Sequence, residues 1–220
     1  MKSNIKVLSI YFVVFYVVWG ISTLCIMPII DLIPNEYVAS ILKVVILKNL
    51  VWTVPAGFLI KKYHDMVEVS LKDMFINKVS WLQYLPIFLI FTAYILIGDF
   101  KLNGSIIVSL DFKYTDLIVV LFVGLTEELV FRGWLLNSTI KNKQDDQLYI
   151  PILVNALLFL SIHFPRWIAD GVFISNFISL GFIQIMILSI IFSYIFIKSR
   201  NILIPIALHM YWDLLVFLFA

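Results

Sequence analysis

Apolar residues in this chain gather into blocks of about 20, the length of helix that crosses the hydrocarbon core of a bilayer. That feature constrains the fold before any motif does. A soluble core of the same greasiness would need shorter apolar runs with polar faces. Composition agrees with the blocks: 62% of the 220 residues are hydrophobic and 14% are charged, where a soluble domain carries about a quarter charged. The implied class is all-α, a polytopic integral membrane protein. Residues 1–220 show no internal repeat and no low-complexity linker, so they read as a single membrane domain.

Seven helices are predicted, over roughly residues 7–30, 38–60, 81–98, 116–136, 149–164, 174–197 and 201–220. The basic start Met-Lys-Ser-Asn-Ile-Lys has the flavour of a signal peptide. The apolar stretch from Val7 to Ile30 is too long for a signal core, and no small-residue cleavage site follows, so it reads as a retained span. Residues 101–112 are too polar to add another. With the N-terminus cytoplasmic, the inside loops hold ten basic residues and the outside loops three, Lys101, Lys113 and Arg166. That asymmetry is what the positive-inside rule requires. Within the inside segment 66–79, Val67, Leu71, Met74 and Phe75 recur at helical spacing, which predicts a short helix lying in the cytoplasmic interface.

Several function classes are excluded or unsupported. A net charge of +2 gives no footprint for nucleic acid. Phosphate-binding runs of the GxxxxGK[ST] type are absent. Cys25 is the only cysteine, so neither an internal disulfide nor a CxxC site exists. Inside the first apolar block it reads as a small buried side chain.

A charge at the bilayer centre costs about 2.5–3.5 kcal/mol on insertion scales, so each one needs a reason. Lys43 and Lys48 in the second span have no partner in the sequence and read as structural, snorkelling or facing a polar interior. The fourth span differs. It reads Gly124-Leu125-Thr126-Glu127-Glu128-Leu129-Val130-Phe131-Arg132-Gly133. Glu128 and Arg132 share a helical face and can pair. Glu127 points about 100° away and stays free of that pair, one carboxylate held and one available. Two later spans carry histidines: His163, one turn after Phe159, and His209, one turn before Asp213. Two histidines and three acids inside so uncharged a chain point to a functional cluster. By a rise of 1.5 Å per residue, Glu127 and His209 lie roughly 13 and 12 Å from the inner edge of the membrane core, and His163 about 21 Å. A tilted or deeper fifth helix would bring His163 level.

Peptide hydrolysis needs an activated water, a partner for the oxyanion and a proton for the leaving amine. Glutamate beside imidazole can activate water directly or through a metal, and two histidines with a carboxylate would suit zinc. No HExxH occurs, so zincin and site-2 protease chemistry is unsupported. The GxSG of rhomboids and the GxGD of presenilin-like proteases are missing too.

The remaining pattern is Glu127-Glu128-x-x-x-Arg132, then Phe159-x-x-x-His163, then His209-x-x-x-Asp213, in that order on separate late spans. It resembles the CAAX-protease and bacteriocin-processing (CPBP) family, the type II CAAX prenyl endopeptidases and their Abi relatives, over roughly residues 116–215. The resemblance implies an all-helical intramembrane endopeptidase. Glu127 and His163 would then activate water, with Glu128 and Arg132 supporting. His209 and Asp213 would face the oxyanion. An unprotonated Asp213 cannot donate a hydrogen bond, which favours its orienting His209 or binding a metal. The family is grouped with metalloproteases, so a divalent metal such as zinc on Glu127, His163 and His209 is one expectation and a metal-free glutamate mechanism the other.

The implied partners are a peptide or lipid-modified protein substrate and membrane lipids, with no nucleic acid. An Ile-, Lys- and Asn-rich composition suits a low-GC bacterium, hence a multi-pass protein of the bacterial plasma membrane active in bacteriocin immunity or peptide maturation. Two other classes stand beside this one. A non-catalytic immunity or scaffold protein would be marked by loss of a motif position, and none is lost. A proton-relay transporter would be marked by broken helices or a repeat.

Overall fold

The computed structural model describes residues 2–219. Met1 and Ala220 lie outside the described residues, and with them the last position of the predicted 201–220 span. In chain order the helices are α1 (Ile5–Ile30), α2 (Glu36–Lys62), α3 (Trp81–Asn103), α4 (residues 114–139), α5 (Asp145–Ala169), α6 (Gly181–Ser199) and α7 (Leu203–Phe219). Among the described residues there is no strand. Five helices, all but α4 and α7, are long and apolar enough to cross a membrane. α4 carries Glu127, Glu128 and Arg132 in its apolar run, and α7 has 17 residues. A helix therefore stands at each predicted place, and five of them satisfy the length and composition of a span.

The boundaries have local causes. α3 opens with a 3-10 turn over Trp81–Tyr84, becomes α-helical at Leu85 with Pro86 in the first turn, where a missing N–H is harmless, and stops at Gly104, whose φ of 72° an L side chain rarely adopts. The polar segment after it is tied back: Asp99 accepts from the Ile107 amide at 3.1 Å, and the Ser109 amide reaches the Leu218 carbonyl at 2.7 Å. α5 is interrupted at Ile162 and His163 because Pro165 has no N–H to continue the ladder to Ser161. The predicted sixth span, 174–197, is corrected here. Phe173–Ile178 forms a separate short helix, and Leu180, with a φ of 61°, turns the chain before α6 begins at Gly181.

The segment between α2 and α3 also departs from expectation. Only Asp73–Ile76 is α-helical, and the apolar residues turn into the protein. Met74 and Val67 are buried, the Ile202 amide bonds the Met74 carbonyl at 2.7 Å, and the Asn137 side chain clamps both the amide and the carbonyl of Val69. The backbone polar groups of a non-helical loop need partners, and Asn137 supplies two. Cys25, read from sequence as buried, is exposed on α1.

Two apolar clusters make the interior. The larger joins α1 and α2, through Phe15, Trp52 and Ile60, to α4 and to Phe159 of α5. The smaller joins α3, α6 and α7 through Phe91, Phe192, Leu208 and Trp212. α4 and α7 approach closely at Gly124, where an added Cβ would stand 2.6 Å from Cγ of Met210 and 3.2 Å from the Ile206 carbonyl oxygen. That approach, one turn from Glu127 and Glu128, brings them against His209. The polar residues of both helices thus meet between the two clusters.

Candidate active site

Each polar side chain of the cluster is delivered by its own element. In α4 the backbone widens to π-helical hydrogen bonding over Leu129–Leu136, just after the two glutamates. Such local widenings recur at functional sites. Glu128 and Arg132 form the expected i, i+4 pair: Nη1 of Arg132 donates to Oε1 of Glu128 at 3.0 Å, with both side chains wholly buried. Nη2 of Arg132 donates to the Ser189 carbonyl at 3.0 Å and to its hydroxyl oxygen at 2.8 Å. The guanidinium carbon sits 4.7 Å from the Phe159 ring centre and 5.6 Å from that of Phe192. Arg132 thereby bolts α4 to α6 and holds Glu128 in place.

His209 answers from α7. Its Nδ1 lies 2.8 Å from Oε1 of Glu128, and a carboxylate oxygen there calls for a proton on that nitrogen. Its Nε2 lies 3.7 Å from Oδ2 of Asp213 and 3.9 Å from Oε2 of Glu127. Both exceed hydrogen-bond length. The ring stacks on Phe192, with centres 5.3 Å apart. The direct bond to the ring comes from Glu128, with Asp213 standing beyond hydrogen-bond length on the other nitrogen.

His163 comes from the interruption in α5. Its Nδ1 is 3.0 Å from the Phe159 carbonyl, an acceptor, so Nδ1 carries the hydrogen and Nε2 keeps its lone pair. The Phe159 ring is 5.3 Å from His163 and 6.0 Å from His209, centre to centre. Phe159 therefore lies against both histidines and Arg132. His163 thus stands on the same phenyl ring as His209, at the turn where α5 is interrupted.

Two readings of single residues need correction. Glu127 stays clear of Arg132, as the helical repeat requires, yet it is not free. Nζ of Lys48 in α2 donates to its Oε1 at 2.7 Å, and both side chains are almost fully buried. Lys48, unpaired in the sequence, has its partner 79 residues away. Lys43 pairs with Asp31. Ser189 was also missed, and no signal in the sequence marks it. For Lys48 the signal was a charge inside a span; its partner was beyond local spacing.

Among the described residues no group of three His, Cys, Asp or Glu side chains is arranged to hold a metal ion. The chemistry of the donor set agrees. Oε1 of Glu127 is taken by an ammonium, and like charges this close repel strongly in a buried site. Glu127, His163 and His209 do not fit a metal in this arrangement.

Fold and site define a class: a multi-pass helical membrane protein with a carboxylate–imidazole cluster buried between its helices. Residues 111–215 match the family model described as type II CAAX prenyl endopeptidase Rce1-like. The matched stretch is a little under half of the chain, contains Glu127, Glu128, Arg132, Phe159, His163, His209 and Asp213, and agrees with the resemblance to the CAAX-protease and bacteriocin-processing family. No curated relative and no solved structure matches the chain.

Proposed function

We propose that this protein is an intramembrane endopeptidase that cuts a peptide or lipid-modified protein through glutamate-activated water. The observation that carries the reading is the convergence of Oε2 of Glu127 and Oδ2 of Asp213, at 3.9 and 3.7 Å, on the single nitrogen Nε2 of His209. In this reading Glu127, aided by the lone pair on Nε2 of His163, takes a proton from water as the water oxygen attacks the scissile carbonyl. His209, anchored through Nδ1 to Glu128, presents Nε2–H to the tetrahedral oxyanion. The proton then passes from Glu127 to the departing amine. Asp213 steadies the imidazole from the side opposite Glu128, a role that needs no hydrogen to donate.

The membrane arrangement belongs to the same proposal: seven crossings, the N-terminus cytoplasmic, the site within the bilayer and the host membrane a bacterial plasma membrane. Peptide maturation or bacteriocin immunity is the biology that fits a small hydrolase there. The test is Glu127→Gln, which keeps shape and removes the base, assayed in cells for phenotype and in detergent against a peptide library. Loss of cleavage in a protein that still folds is the expected result, and wild-type cleavage is expected to survive treatment with a chelator. A phenotype retained in the Gln protein would overturn the enzyme reading in favour of a binding or scaffold role. Cleavage lost on chelation and restored by zinc would overturn the metal-free course.

A further inference from the structure

Lys48 is an expensive residue. It stands in the middle of α2, 6% exposed, between the π-helical stretches Ile41–Leu47 and Asn49–Thr53. Taking an ammonium out of water costs several kcal/mol even after relaxation, and two features offset that here. Its Nζ lies 4.7 Å from the centre of the Trp52 ring and 5.8 Å from that of Trp19, so two indole faces border the charge. The second feature is the bond to Glu127. Trp52 is itself fully buried and packs edge-on against Trp19 and Phe15, so the lysine is held by a rigid aromatic wall.

The two oxygens of Glu127 are used differently. Oε1 is bound to Lys48, and Oε2 faces Nε2 of His209. A carboxylate held at one oxygen cannot turn freely about its terminal torsion, which is otherwise broad and twofold. We propose that Lys48 is a positioning residue: it anchors Oε1 of Glu127 so that Oε2 is the oxygen presented to water. The lysine keeps its proton throughout. The proton from water goes to Oε2 and leaves from it to the amine, so Lys48 exchanges nothing. Because α2 lies outside residues 111–215, the part of the chain without the family match completes the geometry of the site. The assignment rests on the peptidase reading of Glu127 and deepens it.

The test compares Lys48→Met, Lys48→Gln and Lys48→Arg with the intact protein in detergent, using internally quenched peptides with and without a prenylated cysteine. A misplacement of about 1 Å can cost 100-fold in rate. Lys48→Met is expected to lower kcat by about that factor with KM changed less than about threefold, and Lys48→Arg to recover part of the loss. Unchanged kcat in a folded Lys48→Met or Lys48→Gln protein would overturn the proposal, as would equal losses in all three variants. A second readout does not depend on turnover. The carboxylate stretch of Glu127, identified by its disappearance in Glu127→Gln, is read in the infrared spectrum of each Lys48 variant. A displaced band supports the anchoring, and an unmoved band overturns it. If the intact protein cleaves no probe, the peptidase reading fails while the infrared comparison still decides whether Lys48 holds Glu127.

Discussion

At the scale of the residue, Glu128 and Arg132 differ from Glu127 in what their loss should do. Both side chains of the first pair are wholly buried, and Arg132 has four bonded or stacked neighbours on three helices. Arg132→Met breaks a buried ion pair and leaves Glu128 with His209 as its partner, a change of the kind that costs about 3–5 kcal/mol. The expected outcome is a sharply lowered melting temperature in detergent, with loss of any cleavage following from unfolding. Melting equal to that of the intact protein would show that the pair contributes little to the fold. Glu127→Gln should lower melting less, because a glutamine still accepts from Lys48 and the Trp19 and Trp52 rings still border the ammonium, although the ion pair is lost. These differences also explain what could be read in advance. Glu128 and Arg132 are one helical turn apart, so spacing alone pairs them. Lys48 with Glu127, and His209 with Glu128, are 79 and 81 positions apart. Those pairs exist only once helices are arranged around Trp52 and Gly124, and no local period encodes that arrangement.

At the scale of the element, the contact between α4 and α7 decides whether the motifs meet. Gly124 is the position that allows it, since a Cβ there collides with the Met210 side chain and approaches two backbone atoms of α7. Small residues serve this purpose in membrane helices generally, where close backbone approach replaces a hydrophobic driving force. Gly124→Val should push α7 off α4 and cost about 1–3 kcal/mol by overpacking. Because the displaced helix carries His209, cleavage should fall further than melting does, and an activity assay beside a melting curve checks both. Full activity in Gly124→Val would mean that the helices tolerate separation and that the Glu128–His209 bond is not needed. The predicted places of the helices were legible from apolar length. The break in α5 at His163 and the split ahead of α6 were not. Pro165 can open a helix as readily as end one, and a left-handed Leu180 has no signature of its own. Residues 66–79 failed for a related reason: their helical spacing was real, but Asn137 and Ile202 compete for the backbone and draw it into the core.

At the scale of the whole molecule, the motifs occupy α4 to α7, yet the interior does not divide there. The larger apolar cluster takes Phe15, Trp19, Trp52 and Ile60 from α1 and α2, and the smaller one takes Phe91 and Ile95 from α3. A C-terminal fragment beginning in the loop after Gly104 would expose the partners of those side chains, including the fully buried Phe131 and Trp134. It would also leave Glu127 without Lys48. Buried aromatic contacts of this kind contribute about 0.5–1.5 kcal/mol each beyond their area, and several are lost together. The fragment 105–220 expressed alone should therefore be degraded or aggregate in detergent. Co-expressed with residues 1–104 it should be protected, because the cut falls in a non-helical connection and loop closure costs little to forgo. Co-purification of the halves, and recovery of the displaced Glu127 infrared band, are the measurements. A 105–220 fragment that melts cooperatively by itself would separate the molecule into an autonomous site and a dispensable N-terminal half, and the case for Lys48 would go with it.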